Sequence, residues 1–99
     1  IDPEKLKGIR EHIILVDVRE PFEYDICNLG GILMPITQLT DIALKSLIQE
    51  KPVVFYCKHG TRSKEAAKKM LQTGFKDVYY LDGGIMAWID KVDSSLTKY

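Results

Sequence analysis

Three short apolar runs, residues 13–16, 53–56 and 78–81, do most to constrain how this chain folds. None alternates with polar residues, and each is too short for a helix, so each predicts a strand buried on both faces. A helical signal follows every one. Glu20-Pro21 opens a short helix through about Asp25, with Pro21 suited to a first turn. Residues 63–73 are rich in Ala, Lys, Met and Leu and stop near Gly74, and residues 85–92 form a last amphipathic helix after Gly83-Gly84. Residues 2–8 predict an opening helix, capped by Asp2 with Pro3 in its first turn. Residues 32–34 predict a short strand ended by Pro35. Ile42, Leu44, Leu47 and Ile48 predict a helix over 39–49. Apolar strands alternating with helices predict an α/β fold: three layers, a parallel sheet with helices on both faces. In such sheets sites lie beyond the carboxyl ends of the strands.

Ninety-nine residues predict one domain over 1–99. Fourteen Lys and Arg against fourteen Asp and Glu give no overall charge with which to seek nucleic acid or an anionic membrane. No apolar run approaches the ~20 residues of a membrane-spanning helix. The opening Ile1-Asp2-Pro3-Glu4-Lys5 has no signal-peptide pattern, and two cysteines cannot build a disulfide scaffold. The expectation is a reducing compartment, the cytoplasm.

Two segments fall at strand ends. The more informative is Cys57-Lys58-His59-Gly60-Thr61-Arg62-Ser63, which joins a buried strand to a helix. A loop curling over a helix start turns backbone N–H groups inward and adds the positive end of the helix dipole. Both stabilise an anion at the centre, the setting in which a cysteine acts as a thiolate nucleophile rather than a packed apolar group. Gly60 permits a positive φ or close backbone approach. Ser63 is expected to cap the helix with its hydroxyl and leave its own N–H free for the anion, and Lys58, His59 and Arg62 add cations or donors. Lys58 reads equally as a substrate contact or a solvated loop lysine, and His59 as an acid/base or a structural group. Cys57 and His59, two apart with no second ligand pair, do not predict a metal site.

At the other strand end, Asp17 and Arg19 share a face and could pair with each other or reach the loop; a salt bridge organising the two loop mouths is the favoured reading. Cys27, beside Ile26 and Leu29, reads as packing, and Trp88 as core or rim. Lys64, Lys68 and Lys69 form one side of a helix: a solvated face, or one that meets an acidic partner.

Three stretches then resemble the rhodanese-like domain family, in the family's order: Leu15-Val16-Asp17-Val18-Arg19-Glu20-Pro21-Phe22-Glu23-Tyr24, the loop from Cys57 to Ser63, and Leu81-Asp82-Gly83-Gly84-Ile85-Met86-Ala87-Trp88. The resemblance implies a parallel sheet of about five strands and a sulfurtransferase without cofactor. In that reading Cys57 takes sulfane sulfur as a persulfide, Lys58 to Ser63 surround it, and Asp17 and Arg19 support the loop from beneath. It implies a small donor such as thiosulfate, or a protein donor or sulfur-carrier protein as partner. Family members occur alone or fused behind adenylyltransferases, and residues 19–29 look slightly more like the fused kind. Gly30-Gly31-Ile32 departs from the family's usual His-Ile-Pro-Gly-Ala.

Two other readings use the same residues. Cysteine-dependent phosphatases and arsenate reductases also hold a thiolate in a strand-loop-helix cradle, but phosphatase loops set one residue more between Cys and Arg than the four between Cys57 and Arg62. A non-catalytic regulatory module is the third, and family members of that kind usually lack the cysteine.

Overall fold

The computed structural model describes residues 1–99. Four parallel strands, β1 (Ile14–Asp17), β2 (Ile32–Leu33), β3 (Val53–Tyr56) and β4 (Val78–Tyr80), form one sheet in the order β2-β1-β3-β4. The helices are α1 (Pro3–Ile9), α2 (Pro21–Ile26), α3 (Asp41–Lys45), α4 (Thr61–Gln72) and α5 (Gly84–Lys91). The sheet thus has four strands rather than the expected five or so.

Strand pleating divides the core into two layers. Leu15, Val54 and Tyr56 face one way and pack with Leu6 of α1 and Ile85, Trp88 and Ile89 of α5. Val16, Val53 and Phe55 face the other and pack with Leu44 of α3 and Ala66, Ala67 and Met70 of α4. Being covered on both sides is why these strands carry no polar alternation. Trp88 is core, and buried Cys27 packs in the same layer.

Local departures from expectation have local causes. The helix expected over 39–49 shrinks to the single turn of α3, capped by the Thr40 hydroxyl on the Ala43 N–H, and Ile42 is left 83% exposed. Helix α4 starts at Thr61, before the expected 63, because Gly60 at φ 108° takes the cap position. Ser63 is therefore inside the first turn and does not cap it. Gly31, at φ 85°, lets the chain pass β1 where a Cβ would meet the Leu15 carbonyl at 2.5 Å.

The chain runs from β1 to an edge strand on one side and then returns to β3 on the other. That reversal leaves a crevice beyond the carboxyl ends of β1 and β3. Asp17 pairs with Tyr56 across those strands, so the first strand end and the Cys57 loop are neighbours.

Candidate functional site

Cys57 is buried immediately after β3, with its sulfur beneath the start of α4. The Gly60 N–H donates to Sγ at 3.1 Å and the Ser63 N–H at 3.4 Å. The thiol lies 3.4 Å from the Ser63 hydroxyl, which itself donates to the Gly60 carbonyl at 3.1 Å. Ser63 thus serves the sulfur from the third position of the helix, where an unpaired N–H is built in.

The outer wall of the loop is held by α5. Ile85 N–H donates to the Cys57 carbonyl at 2.9 Å and Met86 N–H to the Lys58 carbonyl at 3.2 Å. A trans peptide sets its N–H opposite its C=O, so fixing these carbonyls toward α5 turns the Lys58 and His59 N–H groups away from it. Those two amides have no protein acceptor, and neither do the Thr61 and Arg62 amides of the first turn. Cys57, Lys58, His59, Thr61 and Arg62 line a cavity of about 150 Å³ over the sulfur. Gly84 makes the clamp possible: a Cβ there would lie 2.2 Å from the Lys58 carbonyl oxygen.

Asp17 and Arg19 do form the expected pair. The Arg19 guanidinium reaches both Asp17 oxygens, Nε to Oδ1 at 3.0 Å and Nη2 to Oδ2 at 2.8 Å, with neither side chain exposed. Its other donors hold the Cys27 carbonyl at 2.7 Å, the Glu23 carbonyl at 3.3 Å and the Tyr99 hydroxyl at 2.8 Å. Burial lowers the proton affinity of Arg19, but hydrogen bonds to Asp17 and Tyr99 outweigh it and hold the group above the ordinary arginine value. The pair lines no part of the cavity. It anchors α2, and α2 presents the residue that does reach the loop.

That residue is Glu23, which grips Arg62 through two bonds, Nη1 to Oε1 at 2.6 Å and Nη2 to Oε2 at 3.0 Å. The Tyr99 hydroxyl donates to Oε2 at 2.5 Å, and the Glu20 N–H donates to Oε1 in a capping box. Burial works to raise the Glu23 carboxyl, but the bonds from Arg62, Tyr99 and Glu20 win and bring it down to about 2. Arg62 is raised chiefly by its bond to Glu23. Tyr99 is pushed up to about 12 by burial and by donating to Glu23. The Lys58 ammonium stands 4.4 Å over the Tyr99 ring.

The structure thus brings the whole run 57–63 together and adds Glu23, Tyr99 and the Gly83-Gly84 turn. Glu20-Pro21-x-Glu23 at the start of α2 signals the capping box, but not the reach to Arg62. Nothing local signals Tyr99, which lies in the tail after Asp93. No group of His, Cys, Asp or Glu is arranged to hold a metal ion.

Residues 2–91 match the family model for the rhodanese-like domain. The chain is 37% identical over 89 residues to a probable adenylyltransferase/sulfurtransferase, MoeZ of Mycobacterium tuberculosis, covering 88% of this chain but 23% of that protein's length. It is 33% identical over 89 residues to the thiosulfate sulfurtransferase GlpE of Pseudomonas fluorescens, covering 89% of this chain and 82% of that one. Among solved structures, a rhodanese-related protein from Thermoplasma volcanium superposes with a TM-score of 0.83 at 31% identity, over 93% of this chain and 91% of the other.

Proposed function

The chain belongs to the rhodanese-like domain family, a family with sulfurtransferase members, and from that premise we propose that it transfers sulfane sulfur through a persulfide on Cys57. The observation that carries this is the cradle itself: two N–H groups on Sγ, and four unpartnered amides around a cavity of about 150 Å³. Negative charge on sulfur is stabilised there by directed donors and by the start of a twelve-residue helix. The cavity is smaller than the ~300 Å³ at which ordinary small-molecule pockets begin. It suits one added sulfur atom, with donor and acceptor approaching from the mouth.

In the first step the Cys57 thiolate attacks the outer sulfur of the donor. With thiosulfate, the new S–S bond leaves a Cys57 persulfide and sulfite departs with the electrons of the broken S–S bond. With a thiol persulfide, the thiolate departs instead. In the second step an acceptor thiolate, or cyanide in the test tube, attacks the outer sulfur and restores the Cys57 thiolate. The amides of Lys58 to Ser63 hold the persulfide anion, Lys58 and His59 meet the incoming molecule at the mouth, and Asp17 and Arg19 brace the frame through α2. No cofactor enters either step. Residues 1–99 act as one transfer unit, in a reducing compartment such as the cytoplasm. A small donor such as thiosulfate, a persulfidated protein, or a sulfur-carrier protein is its partner.

The phosphatase or arsenate-reductase alternative is disfavoured by the short loop and by Arg62, whose guanidinium is already committed to Glu23. Intact mass after thiosulfate or persulfide treatment tests the proposal. Wild type and Cys27→Ser gain one reducible sulfur, and Cys57→Ser gains none. A wild type that stays unmodified, or sulfur retained in Cys57→Ser and lost in Cys27→Ser, overturns it. Turnover of an aryl phosphate without persulfide would move the assignment to phosphatase. Tight partner binding by a protein inert to every donor would move it to a regulatory module.

A further inference from the structure

Beside the His59 imidazole, the cavity over Cys57 carries one ammonium, Lys58, and one guanidinium, Arg62. They are not equivalent. Arg62 spends both terminal nitrogens on the two oxygens of Glu23, in a bidentate pair whose carboxylate side is 6% exposed. Lys58 is in no ion pair and rests on the Tyr99 ring. With Cys57 as the thiolate, the charges of Cys57, Lys58, Arg62 and Glu23 cancel. A doubly charged oxyanion arriving at this mouth finds one free ammonium and a guanidinium whose field is neutralised at short range. Tyr99 keeps it so: its hydroxyl accepts from Arg19 and donates to Glu23 Oε2, fixing the carboxylate against Arg62.

The geometry points to Glu23, positioned by Tyr99, as the residue that sets donor preference, screening Arg62 from sulfonate-bearing dianions such as thiosulfate and favouring a persulfide carried on a thiol. The inference rests on the sulfur-transfer reading above and narrows its donor class. The favoured step is balanced without a further reactant. The Cys57 thiolate attacks the outer sulfur of R–S–SH, the inner S–S bond breaks, R–S⁻ leaves, and Cys57 keeps S–SH. Neither partner carries a second negative charge into the cavity.

The test compares two donors, thiosulfate and 2-hydroxyethyl persulfide, whose organic part is uncharged. The rate at which each charges Cys57 is followed by quenched intact-mass measurement in wild type, Glu23→Gln and Tyr99→Phe. Glu23→Gln keeps the shape and removes the compensating charge. The ratio of the thiosulfate to the persulfide second-order rate constant then rises on the order of tenfold. The gain lies in the half-saturating thiosulfate concentration, and shrinks as ionic strength approaches ~0.15 M. Tyr99→Phe keeps the ring under Lys58, frees Glu23 to sway, and moves the ratio the same way by a smaller factor. A merely structural role would slow both donors together. A ratio within about twofold of wild type in the folded variants overturns the inference while leaving sulfur transfer intact. If Glu23→Gln does not fold, Tyr99→Phe decides alone. Failure of both donors to charge Cys57 in folded wild type overturns the underlying reading, and this inference with it.

Discussion

Replacing Gly84 by Ala tests whether α5 holds the Cys57 loop. The new Cβ would lie 2.2 Å from the Lys58 carbonyl oxygen, 2.4 Å from its carbon and 2.6 Å from the Cys57 carbonyl oxygen. All three are backbone atoms, so no side-chain rotation relieves the clash. Reaching ordinary contact means a shift of more than about 1 Å in the loop or in α5. That stretches the bonds from Ile85 and Met86, now 2.9 and 3.2 Å, past useful length. Each lost bond costs about 0.5–1.5 kcal/mol, and an alanine at φ 63° adds about 1–2 kcal/mol. The total, about 2–5 kcal/mol, is within the ~5–15 kcal/mol stability of a small domain, so the variant folds at 25 °C. Its melting temperature falls by roughly 10–30 °C. The larger effect is on chemistry: with the Lys58 and His59 amides displaced by about 1 Å, sulfur transfer drops on the order of a hundredfold. Urea denaturation gives the first number, and cyanide-acceptor kinetics, run below the unfolding transition, the second. A variant that loses stability yet transfers sulfur at the wild-type rate would refute the claim that α5 sets the cradle.

Other perturbations separate frame from site. Asp17→Ala strands a fully buried Arg19 and costs about 3–5 kcal/mol by denaturation, whereas Asp17→Ala with Arg19→Met loses less than that single change. Glu23 has a carboxyl depressed to about 2 against an ordinary 4.5, so its contribution to stability is complete above about pH 4.5 and is lost as pH falls toward 2. Glu23→Gln, less stable at neutral pH, loses that part of the acid limb, on the order of 3 kcal/mol, in urea titrations across this range. Gly8→Ala in α1, where no atom lies within 4 Å of the new Cβ, raises stability by about 0.5–1 kcal/mol and leaves sulfur transfer alone.

Which features could be read in the sequence follows the range of the interactions behind them. The strands were legible because burial on both faces writes itself into consecutive residues. The run 57–63 was legible because strand end, glycine and helix start are contiguous, so one stretch specifies thiol, left-handed turn and donors together. Ser63 is legible there in part: its N–H does face the sulfur, but its hydroxyl does not cap the helix. The hydroxyl suits a cap, but Gly60 at φ 108° starts the helix sooner and sets the serine in the first turn, against the sulfur. Residues 39–49 failed in the opposite way: helical spacing of apolar residues was present, but beyond Lys45 the segment turns, burying Leu44 and Leu47 without a continuous stripe.

What could not be read is the layer behind the loop, because its partners meet only through the fold. Glu23 and Arg62 are 39 residues apart, and Tyr99 and Glu23 are 76 apart. No periodicity links them; their meeting depends on β1 and β3 being neighbours and on the chain after α5 returning to the same end of the sheet. The consequence is chemical as well as architectural. From the loop alone, Arg62 counts as a cation available to a substrate. With Glu23 in place its charge is spent, and Lys58 is left as the unpaired ammonium lining the cavity beside His59. A cradle built for one kind of anion is thus re-tuned by a carboxylate outside the loop, and that carboxylate is aimed by a hydrogen bond from residue 99.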